Sequence, residues 1–287
     1  MCKRCFAASI EAKVRATITR YQMLRFDDHL AVAVSGGKDS LSTLCILAKL
    51  RKHRPKTNLT AVTVDEGIKG YRDEALTIAA DMCRKIDVPH YIVSFKDLYG
   101  YTLDEIVAKA KNTKSKLTPC AFCGVLRRRA INIGARQVKA TKIATGHTLD
   151  DETQTVLMNI LRGDIARLAK EKPITSEVHP LFVQKIKPFC EIPENESALY
   201  AYVKKIDFQD TPCPYASEAL RNDIRGMINL MEAKHAGTKF TVFKAVERLR
   251  PAIEETAKKE KFRTCIECGE PSALDLCKCC EMLHHVR

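Results

Sequence analysis

Residues Ala31–Leu50 read AVAVSGGKDSLSTLCILAKL, and no other stretch limits the fold as much. The apolar run Ala31–Val34 is of the kind that forms a buried parallel strand. Two glycines break it, and Leu41, Leu44, Cys45 and Leu47 then recur at helical spacing. The pattern predicts a strand, a tight turn and a helix N-terminus. Such a terminus offers unpaired backbone N–H groups and a partial positive charge. Gly36 and Gly37 allow an anion close to the backbone, and Lys38 adds a full charge. The turn therefore suits phosphate, although it lacks the four residues that a Walker loop places between its glycines. The other reading of the same residues is a plain glycine turn with Ser40 as a helix cap.

Strands and helices alternate after this element. Leu59–Val64 reads as a second strand ending in Asp65-Glu66-Gly67, Tyr91–Phe95 as a third and Lys142–Thr145 as a fourth. Helical spacing is expected over 73–86, 103–110 and from Pro119, and again between the fourth strand and Leu161. Alternation of this kind implies βαβ units in a parallel sheet whose ligands bind at the carboxyl ends of the strands. Gly163–Pro193, with prolines at 173, 180, 188 and 193, is expected to be irregular around a strand at Val183–Ile186. Helices are expected over 196–206, over a segment buried through Leu220, Ile224, Met227, Ile228 and Met231, and over 242–258 with an interruption near Pro251. Three units follow: residues 1–24, an opening CxxC and helix; 25–260, an α/β catalytic domain; and 261–287, a small terminal ribbon.

The chain has 287 residues, enough for a sizeable core, and a formal net charge of +13, which favours a polyanionic partner. No apolar run approaches the roughly 18 residues of a membrane span, and MCKRCF has no signal-peptide core. A cytoplasmic location and no membrane partner are therefore expected. Basic candidates for nucleic-acid contact are the segment 109–116, KAKNTKSK, Arg127, Arg128 and Arg129, and the basic terminal ribbon.

Thirteen cysteines in an intracellular-looking chain of this length point to metal rather than disulfides. Cys265-x2-Cys268 and Cys277-x2-Cys280, eight residues apart, form two knuckles whose four thiolates close a tetrahedral structural Zn2+ shell. Cys279, His284 or His285 are spare ligands for the same site. Cys2 and Cys5 make half a zinc site, with simple thiols or a shared ligand set as alternatives. CxxC spacing puts Cys120 and Cys123 on one helical face, one turn apart, and Pro212 and Pro214 hold Cys213 in an extended turn. Cys45 and Cys83 sit on apolar faces and are read as packing residues.

Ser35-Gly36-Gly37-Lys38-Asp39-Ser40 resembles the PP-loop of ATP pyrophosphatases, which adenylate a carbonyl oxygen and release pyrophosphate. Together with Cys120, Cys123, the stretch Gly146-His147-Thr148-Leu149-Asp150-Asp151-Glu152, Cys213 and the ribbon, it makes the whole chain resemble the tRNA uridine 2-thiolation enzymes of the PP-loop ATPase superfamily. The resemblance implies a Rossmann-like five-stranded parallel sheet with helices on both faces, and a homodimer. It implies ATP with Mg2+, bound by Ser35, Gly36, Gly37, Lys38, Asp39, Ser40, Val64, Gly146 and Asp150. It also implies that Cys120, Cys123 and Cys213 hold a [4Fe–4S] cluster with one iron lacking a protein ligand. Lys38, Asp39 and Asp150 would serve the adenylation, with a helix N-cap as the other reading of each carboxylate. Partners would be tRNA and a sulfur donor, either hydrosulfide or a ubiquitin-like sulfur carrier. Wobble uridine U34 is the expected target. Thiolation of T-loop U54, or a persulfide on Cys120 or Cys213 without a cluster, are the alternatives, the latter needing exposed low-pKa thiols. A zinc-ribbon RNA-binding protein without catalysis would account for the charge and the terminal cysteines but not for the phosphate loop.

Overall fold

Five strands, β1 (His29–Ala33), β2 (Asn58–Asp65), β3 (His90–Ser94), β4 (Lys142–Ala144) and β5 (Gln184–Ile186), form one sheet in the order β3-β2-β1-β4-β5, every pair parallel. This comes from a computed structural model that describes residues 1–52, 56–113, 117–216, 220–257 and 262–286. β2 is buried along nearly its whole length, as expected of a parallel strand covered on both faces. Successive residues feed opposite layers. Leu30 and Val32 pack with α1 (Lys3–Arg20), α2 (Lys38–Arg51), α3 (Arg72–Lys85) and α9 (Glu194–Val203), through Val14, Leu44, Ala79 and Tyr200. Ala31 and Val62 pack with α5 (Leu103–Asn112) and α6 (Pro119–Gln137) through Ile106 and Leu126, and α12 (Lys278–His284) joins this side through Met282. A smaller cluster of Val156, Leu168 and Val246 ties α7 (Leu149–Leu161) and α8 (Ile165–Lys170) to α11 (Thr238–Thr256).

The strand order reverses between β1 and β4, which opens a crevice above the carboxyl end of β1. The Ser35–Ser40 turn leaves β1 at that end.

Several local expectations need correction. Phe95 does not end β3 but opens the short helix α4 (Phe95–Tyr99), because the Ser94 hydroxyl accepts the Lys96 N–H and caps it. The irregular stretch contains α8, capped by Asp164. Pro251 does not interrupt α11, which runs through it. In α10 (Leu220–Lys234), Ile224 and Ile228 are buried, but Met227 and Met231 remain 48% and 42% exposed. Only the narrow stripe that meets α7 and α11 is covered. Cys45 and Cys83 are packing residues, with the Cys45 thiol against the Met82 sulfur at 3.6 Å. The boundary expected between catalytic domain and ribbon, at 260 and 261, and the Lys114–Lys116 end of the basic segment lie outside the described residues. The ribbon itself contains the antiparallel pair β6 (Arg263–Thr264) and β7 (Pro271–Ser272), followed by α12.

Candidate active site

The phosphate loop is held by its own serines. The Ser35 N–H donates to Ser40 Oγ at 3.0 Å, the Ser40 hydroxyl to the Gly37 carbonyl at 2.9 Å, and the Gly37 N–H to Ser35 Oγ at 3.3 Å. Gly37 is the N-cap of α2 and no side chain caps that end, so Ser40, inside the first turn, is not the cap. Gly36 has φ of +86°, and a Cβ there would stand 2.7 Å from the Ala75 carbonyl oxygen, so only glycine fits. Lys38 donates to Glu194 at 2.8 Å and to Asp39 at 3.1 Å. Asp39 lies within the first turn of α2, beyond the cap, so the N-cap reading fails for it. Burial raises its carboxyl above the usual carboxylate range, opposed by the Ser197 hydroxyl and then by Lys38. Its Oδ1 is buried without a hydrogen-bond partner among the described residues. A buried carboxylate oxygen without a close hydrogen bond, beside a phosphate loop, fits a hard cation such as Mg2+, which prefers carboxylate and phosphate oxygens.

The Gly146–Glu152 motif closes against this loop. A Cβ at Gly146 would lie 2.8 Å from the backbone of Asp39 and of Ser40. Thr148 and Asp151 form the capping box of α7, which leaves Asp150 free of the N-cap role. Asp150 instead accepts the Glu194 N–H at 2.7 Å and pairs with Lys239 of α11. Behind it, buried Lys187 pairs with Glu152 at 2.8 Å and also with Glu171. His147 Nδ1 lies 2.8 Å from the Thr145 hydroxyl, and burial followed by Lys187 brings the imidazole down to about 4.

Thr118 caps α6 and Pro119 occupies its first turn, so Cys120 and Cys123 sit one turn apart as the spacing requires. The Cys120 thiol donates to the Tyr215 carbonyl at 3.2 Å, and the Tyr215 hydroxyl donates to Asp104 at 2.7 Å, which brings the Pro-held turn of Cys213 against the start of α6. Burial pushes the Cys123 thiol up to about 11, opposed by Arg127 and reinforced by Glu66, Cys213 and Cys120. Cys123 is thus a poor nucleophile, whereas Cys120, one of the two thiols that the persulfide alternative names, is exposed. The three sulfurs are neighbours but do not gather to within 4.8 Å of one another, as the ribbon thiols do. Three thiols brought together from the start of α6 and the Cys213 turn are the donor chemistry that an iron–sulfur cluster takes, since its irons are held by cysteine thiolates. Cys190 is buried in the opposite layer, beyond the sheet from Cys123.

Phosphate loop and cysteines are joined by a relay that no sequence motif announces. Arg72 donates to the Ser35 carbonyl at 2.7 Å and to the carbonyl of Val64, at the end of β2, at 2.9 Å. Arg72 also pairs with Glu66 at 2.9 Å, both almost fully buried. Glu66 pairs with Arg127 at 2.6 Å, and Arg127 Nη2 donates to Cys123 Sγ at 3.1 Å. The only sequence cue was an acid at a strand end beside a glycine. Arg127 is thereby engaged and is not a spare phosphate-binding cation. Arg129 is engaged too, donating to Cys277 Sγ at 3.5 Å and lying 6.0 Å from the Tyr99 ring centre, whereas Arg128 is exposed.

Cys265, Cys268, Cys277 and Cys280 form the one group of three or more metal-ligating side chains gathered within 4.8 Å among the described residues. Cys268 and Cys277 sulfurs are 3.6 Å apart, near the roughly 3.8 Å expected for two sulfurs at 2.3 Å from a tetrahedral Zn2+. The Cys277 and Cys280 N–H groups donate to Cys265 and Cys277 sulfurs, as thiolate ligands require. Against its burial, backbone amides led by that of Cys277 bring Cys265 down to about 6. The donor set therefore fits Zn2+. Cys279 turns instead toward Arg129, and His284 pairs with Glu267, so neither belongs to the quartet. Cys2 caps α1 by accepting the Cys5 N–H at 3.4 Å, and both thiols are exposed without a third ligand among the described residues.

With this geometry in place, the chain can be set beside known proteins. The PP-loop domain family matches residues 8–232. A cytoplasmic tRNA 2-thiolation protein 1 from Oryza sativa subsp. japonica is 40% identical over 285 residues, 99% of this chain and 76% of that protein. A probable sulfurtransferase of Methanocaldococcus jannaschii is 37% identical over 285 residues, 99% of this chain and 82% of the relative. The U34-tRNA thiolase NcsA from Methanococcus maripaludis, solved with its [4Fe–4S] cluster, superposes with a TM-score of 0.85 at 36% identity, covering all of this chain and 90% of that one. No helix among the described residues is long and apolar enough to cross a membrane. Sequence, sheet order and relatives agree that this chain belongs to the PP-loop family of tRNA 2-thiolation enzymes.

Proposed function

We propose that the protein thiolates the C2 position of wobble uridine U34 in tRNA, using ATP to activate the oxygen that sulfur replaces. A uridine carbonyl is a poor electrophile with a poor leaving oxygen, and adenylation converts that oxygen into AMP. Lys38 and the backbone amides at Gly36 and Gly37 stabilise charge on the departing pyrophosphate. Asp39 and Asp150 are assigned to Mg2+, which supplies charge neutralisation at the phosphates. The triphosphate then competes with Glu194 for Lys38. Cys120, Cys123 and Cys213 are assigned to a [4Fe–4S] cluster, which supplies an iron without a protein ligand at which sulfur can be carried. Cys265, Cys268, Cys277 and Cys280 are assigned to Zn2+ as a structural staple. The working unit is a homodimer, and sulfur comes from hydrosulfide or a ubiquitin-like carrier.

One observation carries this reading: phosphate loop, acidic motif and three cysteines converge at one end of the sheet, linked from Ser35 to Cys123 through Arg72, Glu66 and Arg127. The U34 target is supported by the likeness to NcsA over the whole chain. The test is anaerobic reconstitution followed by nucleoside analysis of tRNA. Wild type and Cys190→Ala should hold about four irons and form 2-thiouridine at position 34. Cys120→Ala, Cys123→Ala and Cys213→Ala should lose both yet keep ATP binding. Iron-free protein that thiolates at full rate would overturn the assignment.

A further inference from the structure

A cavity of about 710 Å3 lies against the β5 edge of the sheet, enclosed by α6, α8, the end of α11 and the ribbon. None of the loop, acidic-motif or Cys120, Cys123 and Cys213 residues lines it. Its two lining acids are already matched, Glu254 by Lys172 at 2.7 Å and Glu270 by Arg136. Two lining cations, Arg128 and Lys185, have no carboxylate partner among the described residues. The one acid that acts electrostatically on both, Glu171, is paired to Lys187. Burial first, then Arg128 and Lys187, bring Lys185 down to about 8, with Glu171 opposing. On the same cavity wall, Phe182 and Phe262 stand edge to face with ring centres 5.3 Å apart.

We infer that this cavity takes a splayed-out nucleotide of the tRNA substrate, its base on Phe182 and Phe262 and its phosphate between Arg128 and Lys185. The inference rests on the tRNA reading above and adds a second contact point to it. Single-stranded RNA is recognised by such pairs of features, an aromatic face for the base and cations for the backbone. The volume lies within the range of small-ligand sites, and the unmatched charge is of the sign that a phosphate neutralises. Arg128 also lies over Gly124, the residue after Cys123 on the same helix, which places the cavity and the cysteines on one element.

The test is a salt series of tRNA affinities measured by fluorescence anisotropy on the full-length, metal-loaded protein. Arg128→Met and Lys185→Met should each weaken binding about ten-fold and flatten the salt slope by about 0.7. Phe182→Leu should weaken it by about five-fold or more at unchanged slope, since it removes stacking and not charge. Lys185→Arg should restore binding, and all four variants should keep zinc content and ATP binding. Photo-crosslinking of wild type should join a tRNA base to Phe182 or Phe262. Wild-type affinity and slope in both methionine variants would overturn the inference. So would uridine monophosphate binding that Lys185→Met abolishes and tRNA does not compete, which would make a free nucleotide the occupant. Failure of the thiolase reading is separate: wild type would then bind tRNA without forming 2-thiouridine.

Discussion

At the scale of single residues, the site depends on close approaches that tolerate no added atom and on buried charges that tolerate no lost partner. Gly146 presses the acidic motif onto the start of α2, where any Cβ meets backbone at 2.8 Å. Gly146→Ala should lower ATP affinity at least about ten-fold and cost about 1–3 kcal/mol of stability, as overpacking does. An ATP titration and a urea melt check both, and an unchanged ATP affinity would refute the contact. His147 gives a pH signature. Its folded-state pKa, about 4, lies below the ordinary histidine value of 6.5, so the unfolded chain takes up the proton first on acidification. The corresponding stability is complete above about pH 6.5 and is lost as pH falls toward about 4, by at most about 3 kcal/mol. His147→Gln should flatten the dependence of the urea midpoint between pH 7 and 4.5. Equal slopes in wild type and variant would exclude this imidazole as the source.

At the scale of elements, the ribbon and α6 depend on each other. α12 packs on α6, and Arg129 of α6 reaches the Cys277 sulfur. In a unit of this size, zinc affinity is folding free energy. Cys268→Ser should therefore release zinc, melt the ribbon and lower the first thermal transition while the phosphate loop still binds ATP. Atomic absorption together with calorimetry reads this, and retained zinc with an unchanged melt would mean a different ligand set. Both knuckles were legible in the sequence because four thiols within sixteen positions can close on one ion locally. α8 and the continuity of α11 through Pro251 were not. Each is stabilised by contacts with α7, and local propensity does not carry that information.

At the scale of the whole molecule, a net charge of +13 should dominate tRNA binding. Affinity should fall steeply between about 50 and 200 mM salt, by a factor on the order of ten per neutralised pair of phosphates or less. An affinity independent of salt would show a mainly apolar interface. Long-range pairing also shapes the site. Lys38 meets Glu194 across 156 residues and Asp150 meets Lys239 across 89, so α9 and α11 hold the site together. The parallel sheet, with its crevice at the reversal between β1 and β4, is what makes such pairings possible.

By itself the sequence determined the strand–turn–helix at Ala31–Leu50, the alternation that makes a parallel sheet, the positions of Cys120 and Cys123 on one helical turn, and the terminal quartet. Each is written in spacings of a few residues, where backbone period and ligand reach act directly. Only the tertiary structure decided that Glu66 and Arg72 join the phosphate loop to Cys123, that Asp39 and Asp150 are not helix caps, and that Arg127 is engaged while Arg128 is not. It also decided that Met227 and Met231 stay exposed. These outcomes depend on which distant side chain arrives first at a charge or an apolar face, and periodicity along the chain holds no record of that.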